Sequence, residues 1–290
     1  MSVLTNPIYY AYGGNTLRRL APITLMLLLL AACAPTPEAP PDPLTLLDEA
    51  AVHINDAESF RIEIRQEGAP YFIETDVIEG ALRFERAQMD YVAPETLQGL
   101  IRASLGLLGR EVPFELGIMA RGPYQWVQLA GADWTDQLYF APGFDARTLI
   151  AEDAGFQAAL DALIDVEYVG PETLDTGERV YHLRGQADGP AVSELLVYII
   201  TAEDPVTIDA YIGQQDSLPV RLTVTLPDTE TEDNPEPTQF IVELYDFNGV
   251  DVENDITGPS YEASGGVPPT AEVTPLLDTD TERLTPEASP

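Results

Sequence analysis

Apolar positions along this chain first repeat at helical spacing and then at every second residue. In Leu44–Phe60 (LTLLDEAAVHINDAESF), Leu44, Leu47, Ala51 and Ile54 form one stripe with Asp48, Glu49 and Asp56 off it, which predicts an amphipathic helix. The period then drops to two. Ile62 and Ile64 alternate with charge in Arg61–Gln66, and Tyr71–Ile78 and Ala81–Gln88 flank a predicted turn at Glu79-Gly80. Val112, Phe114, Leu116 and Ile118 alternate with Pro113, Glu115 and Gly117, and Tyr124–Leu129 carries Trp126. The same alternation marks Val206–Ile212, Val220–Leu226 and Phe240–Leu244, while Ala191–Ile200 is almost continuously apolar and reads as a strand covered on both faces. Two more segments carry helical stripes. Pro94–Gly109 places Leu97, Ile101, Leu105 and Leu108 at spacings of four, four and three, and Ala154–Val166 gathers Ala158, Leu160, Leu163 and Ile164. The expected fold class is therefore α+β: a large, mostly antiparallel sheet of eight to eleven strands with about three helices.

The two ends read differently. Residues 1–19 are polar and end in Arg18-Arg19, Leu20–Leu30 is apolar, and Ala31-Ala32-Cys33 follows. A spanning helix needs about 20 apolar residues, so this run fits a secretory signal instead. Leu30-Ala31-Ala32-Cys33 resembles the bacterial lipobox, which implies diacylglyceryl transfer to the Cys33 thiol and cleavage before it. Two acyl chains hold a protein to a bilayer where one does not, since each buried methylene contributes ~0.8 kcal/mol. Ala34–Pro43 has five prolines in ten residues and is expected to act as an extended spacer. From Tyr261 onward periodicity is lost among Pro, Thr, Ser and acids, which predicts an acidic disordered tail. The domain expectation is a signal peptide over 1–32, lipidated Cys33 and spacer over 33–43, one folded domain over 44–259 and a tail over 260–290.

Composition narrows the chemistry. The chain has no lysine, and past the leader 12 arginines face 49 acids, a net −37. Phosphate binding needs a basic stripe, so nucleic acid is not expected as a partner, and charge does not favour anionic headgroups. The single cysteine removes disulfides and cysteine zinc sites. The two histidines, His53 and His182, have no partner at metal-ligand spacing, and neither an HExxH nor a serine-elbow motif occurs. The acid-rich stretch Asp228–Asp233 lacks the glycine and terminal glutamate of a calcium loop and is better read as solvated. No cofactor, no metal and no enzymatic activity are expected.

Several segments, taken in order, resemble the LppX/LprA/LprF/LprG lipoprotein family, whose members share the LolA-like fold. After the lipobox and spacer come Asp56-Ala57-Glu58-Ser59-Phe60, Ile78-Glu79-Gly80, Gly122-Pro123-Tyr124-Gln125-Trp126 and Phe140-Ala141-Pro142-Gly143-Phe144. Gly177–Leu183, Ile208–Ile212 with Leu218–Leu222, and Phe240–Val250 follow. The resemblance covers residues 44–258. Tyr211 departs from the family's usual Trp, and the Pro94–Gly109 segment is longer and richer in leucine than the family pattern. The resemblance implies a strongly curved antiparallel sheet, a half-barrel, with helices on its concave side and an apolar cavity between them for acyl chains of lipids or lipoglycans. Candidate wall residues are Phe114, Leu116, Ile118 and Trp126. Leu97, Ile101, Leu105 and Leu108 are candidates for a lid helix, with Leu160 and Leu163 opposite; plain core is the alternative for each. A carrier of this kind needs no acid, base or metal: a sixteen-carbon chain exposed to water costs on the order of 12 kcal/mol, and an apolar lining recovers it. The expectation is a monomeric lipoprotein, lipid-anchored outside the cytoplasmic membrane. The rival is a tethered interaction domain whose core is filled by its own side chains.

Overall fold

Asp42 caps the first helix: its carboxylate accepts a hydrogen bond from the Thr45 amide at 3.0 Å, and Pro43 occupies the first helical turn. In the computed structural model, which describes residues 40–75, 78–107, 110–129, 131–152, 154–202, 205–252 and 256–259, this cap opens helix α1 (Pro43–Asn55). Its buried face is Leu46, Leu47, Ala50, Ala51 and Ile54, while Leu44, expected on that face, is exposed. The leader with Cys33, and the tail, lie outside the described residues.

Eleven strands follow: β1 (Ser59–Glu67), β2 (Phe72–Thr75), β3 (Ile78–Val92), β4 (Thr96–Leu107), β5 (Arg110–Arg121), β6 (Tyr124–Leu129), β7 (Ile164–Thr173), β8 (Arg179–Ala187), β9 (Val206–Gly213), β10 (Pro219–Thr225) and β11 (Gln239–Tyr245). They form one curved, open sheet in the order β6-β5-β4-β3-β1-β11-β10-β9-β8-β7, with β2 on β3 and every pairing antiparallel. The first strand thus sits between two meanders, bonded to β3 through Ile62↔Met89 and to the last strand through Ile62↔Leu244. Three helices, α1, α2 (Gly155–Asp161) and α3 (Gly189–Leu195), and a 3₁₀ turn (Ala146–Ile150) cover the concave side, where one apolar core joins both layers. Phe60 of β1 anchors it, edge-on to Phe156 of α2 at 5.8 Å and against Tyr91 of β3 at 5.0 Å. Gly155 begins α2 at φ +56°, where a Cβ would stand 2.3 Å from the carbonyls of Thr148 and Leu149, so only glycine makes this turn.

Four expectations are corrected. Pro94–Gly109 is not a helix: Thr96–Leu107 is β4, an inner strand paired along its length with β3 and β5. A spacing of four is even, so Leu97, Ile101 and Leu105 share a face in a strand as well as in a helix. Ala191–Ile200 is not a strand; its first half lies in α3 and the rest is turn, because a fully buried run carries no period to separate the two forms. Gly189-Pro190, proline just inside a helix start, was the available signal. Glu79 and Gly80 lie within β3 rather than at a turn, and the predicted Ala154–Val166 helix stops at Asp161, leaving Ile164 to open β7.

Candidate functional site

The concave faces of β4 and β5 form a single apolar strip whose cover fades along its length. Pairing sets Leu97 opposite Ala120, Ile101 opposite Leu116, Ala103 opposite Phe114 and Leu105 opposite Val112, so these side chains share one face. On β4, exposure rises from 0% at Leu97 and 3% at Ile101 to 49% at Leu107; on β5 it rises from 0% at Ile118 and 6% at Leu116 to 44% at Val112. Leu105 and Phe114 lie between, half-buried. Ile73 of β2 and Leu82 of β3 continue the Leu105–Val112 row. Apolar area of this kind at a strand end is normally buried, since leaving it wet forfeits about 25 cal/mol per Å².

The covered end is fixed by a residue the sequence reading did not single out. Gln125 of β6 is buried and donates from Nε2 to the carbonyls of Ala141 at 2.7 Å and Phe144 at 3.2 Å, while its Oε1 accepts from the Ala141 amide. With the Ala146 amide on the Gly122 carbonyl at 3.0 Å, this holds the 3₁₀ turn over the Leu97–Ala120 end. Asp145 caps that turn. Partial burial works against its charge, but bonds from the Arg147 side chain and amide outweigh this and hold its carboxyl below the usual range. Leu160 of α2 and Leu163 beyond it enter the same core as Leu97, Ile101, Leu116 and Ile118. Leu108 lies outside the described residues.

Trp126 is a correction. It pairs with Met119, one step out of phase with Ile118↔Val127, and so faces the convex side, stacked 6.4 Å from Tyr124. Period two along one strand does not say which phase its neighbour supplies to the core. The segment Thr257–Pro259 lies over this face: Gln98 Oε1 accepts from the amides of Thr257 (3.0 Å) and Gly258 (2.7 Å), and Arg121 Nε donates to the Pro259 carbonyl.

Ion pairs cross the convex side of most strands, Arg83–Glu111 and Arg102–Glu115 on β3 to β5 among them. Glu63 of β1 meets Arg86 of β3, and Glu243 of β11 meets Arg65 of β1 and Arg221 of β10. Burial opposes the Arg221 charge, but bonds to Asp175 and Glu243 outweigh it and raise its pKa. Farther along, the ring nitrogens of buried His182 lie 2.7 Å from Glu172 and 2.6 Å from Asp209, Arg184 donates to the same Asp209 oxygen, and the imidazole stacks on Tyr211 at 4.5 Å. His182 thus has two acidic partners, on β7 and β9, that sequence spacing did not reveal. Among the described residues no group of three or more ligand-type side chains is placed to hold a metal ion, and no helix is long and apolar enough to cross a membrane.

A family model described as the LppX_LprAFG lipoprotein matches residues 42–252. Among solved structures, LprF from Mycobacterium bovis is similar at a TM-score of 0.50 and 12% identity, over 77% of this chain and 99% of that one. LppX from Mycobacterium tuberculosis (TM-score 0.47, 16% identity, 73% and 98% covered) and a LolA-superfamily protein from Nitrosomonas europaea (0.28, 14%, 77% and 100%) also match. At such identities the likeness to LprF speaks for the fold alone. No curated protein matches the chain.

Proposed function

This chain belongs to the LppX_LprAFG lipoprotein family, and on that premise we propose that it is a lipid-anchored, extracytoplasmic protein that binds or carries acyl chains of lipids or lipoglycans against the concave face of its sheet. The anchor is the diacylglyceryl group on Cys33, and the Ala34–Pro43 spacer sets the domain off the membrane. The domain works as a monomer and without catalysis.

The observation that carries this reading is the β4–β5 strip, whose apolar face extends beyond its helical cover from Leu105 to Leu107 and from Phe114 to Val112. An acyl chain laid along it removes both its own methylenes and these side chains from water, at ~0.8 kcal/mol per methylene. Leu97, Ile101, Leu116 and Ile118 form the deep end of that path, and Leu160 and Leu163 its opposite wall; parting the helices from the sheet there admits more of the chain. Trp126 takes no part.

The test is organic extraction and mass spectrometry of residues 34–290 purified from several bacterial hosts. Acyl lipid at a fixed ratio to protein is the expected result, and Val112→Glu, a charge set in the half-open part of the path, reduces it at least tenfold without loss of folding. Recovery of no lipid from any host leaves only the tethered domain with a filled core.

A further inference from the structure

A hollow of about 420 Å³ lies on the convex face, on the far side of the sheet from the acyl path. Its floor is Gly117, one step out of phase with Leu116 and Ile118. Its walls include Gln88 of β3, Gln98 and Leu100 of β4, Gln128 of β6, Trp134, Tyr245 of β11 and Thr257 of the C-terminal segment. This volume falls in the range of small-molecule sites, roughly 300–1,000 Å³.

The hollow is built by specific devices. A Cβ at Gly117 would lie 3.1 Å from Gln128 Cβ and 3.3 Å from both Gln128 Oε1 and the Trp134 ring, so the glycine keeps the floor clear and both side chains reach it. Gln128 donates its amide nitrogen to the Ala132 carbonyl at 3.0 Å, which fixes its orientation. The chain beyond β6 turns back so that Thr135 bridges Val127 with two backbone bonds of 2.9 Å, and the neighbouring Trp134 is thereby held on the convex side. Gln98 is held by the amides of Thr257 and Gly258, which makes the C-terminal segment a fixed wall.

The lining selects by elimination. Arg61 and Asp90 are the charged residues of the lining and face each other at 3.3 Å, so the lining itself is neutral and holds no surplus cation for an anionic ligand. The Gln98 oxygen is spent on the Thr257 and Gly258 amides, but Gln88 and Gln128 each keep an amide oxygen and one N–H for a ligand, which an aliphatic one would leave unmet at a cost. An indole, whose Cη2 edge reaches the Gly117 floor, and a phenol add aromatic surface among those amides. A ring with hydroxyls around its edge and C–H groups on its face satisfies both demands.

We propose that this hollow binds a neutral saccharide, free or as the sugar part of a glycolipid. The site is separate from the acyl path, and either can fail without the other.

The experiment uses residues 34–290, without the acyl anchor and without detergent, so that flotation does not report the anchor itself. Binding is read on an array of neutral oligosaccharides, and by flotation with phosphatidylcholine vesicles containing or lacking digalactosyldiacylglycerol. The expected result is saturable binding to at least one array glycan or selectively to the glycolipid vesicles. Which of the two responds identifies the free sugar or the glycolipid as the source. Trp134→Ala abolishes the binding, Gln128→Ala weakens it at least fivefold, and Val112→Glu leaves it unchanged. Should Trp134→Ala misfold, Gly117→Leu, which fills the floor from the opposite strand, provides the same readout. Absence of binding in both formats, or binding that survives Trp134→Ala or Gly117→Leu in folded protein, overturns the proposal.

Discussion

The two meanders on either side of β1 use the same antiparallel pairing to opposite ends. On the β11-to-β8 side the concave residues Leu222, Val224, Ile208, Ala210 and Ile212 are all 2% exposed or less, and the convex side is joined by ion pairs through Glu243, Arg221, Asp209 and His182. On the β3-to-β6 side the strands are longer, up to 15 residues in β3, and the concave face of β4 and β5 outruns its cover. The convex face there carries ion pairs as well, Arg83 with Glu111 and Arg102 with Glu115, together with the amide-lined hollow. One half is closed on both surfaces; the other presents an apolar strip on one and a polar recess on the other. Excess apolar surface and unfilled volume have been concentrated where the remaining half can support them.

The contrast can be broken first in the sealed half. Leu222→Ala opens a cavity between β10 and the helices and costs about 2–5 kcal/mol, whereas Val112→Ala at the open end costs less than about 1 kcal/mol, both read by urea unfolding. Comparable losses at the two positions would mean the open end is packed like the closed one. Next, His182→Ala deprives Asp209 and Glu172 of a shared partner and removes the stack on Tyr211; a loss of about 1–3 kcal/mol is expected, and His182→Gln recovers part of it. The smallest effect concerns the clamp over the covered end. Asp145→Asn retains the cap but removes the charge, so it lowers stability by at most a few tenths to about 1 kcal/mol after allowance for solvent screening. The folded-state pKa of Asp145 is depressed, so its charge contributes above the ordinary aspartate pKa and the contribution is lost as pH falls through the folded value. Wild type and variant should therefore differ at pH 7 and converge in acid, as melting curves between pH 7 and pH 3 would show.

Much of the strand content was legible, for a definite reason. From Val220 in β10 and along β11 every second residue is buried, so the alternation there records the sheet directly, whereas β5, β6 and β9 bury three to five consecutive residues and were legible from the order of residue types alone. β4 misled because leucines four apart satisfy both periods, and α3 because burial on all sides removes the polar phase. Of the acyl-path candidates, Leu97, Ile101, Leu105, Phe114, Leu116 and Ile118 do lie on one sheet face, although the first three sit on a strand rather than a lid helix. What the sequence withheld was relational. The phase of Trp126 against Met119, the meeting of Glu172, His182 and Asp209, and the grip of Gln125 on Ala141 and Phe144 all depend on which strands are neighbours and in what register.

The adjacency of β1 and β11 has a consequence for how the molecule is made. Ser59–Glu67 leaves the ribosome early, and its β3 partner follows within a few dozen residues, but its other flank stays bare until Gln239–Tyr245 has been synthesised. During that wait the nascent polypeptide carries an unpaired hydrogen-bonding rim, the kind of template on which stray chains nucleate. Arg61, Glu63 and Arg65, placed on every second residue of that rim, give it charge of both signs and so guard it until the final stretch of the sheet arrives to close the seam.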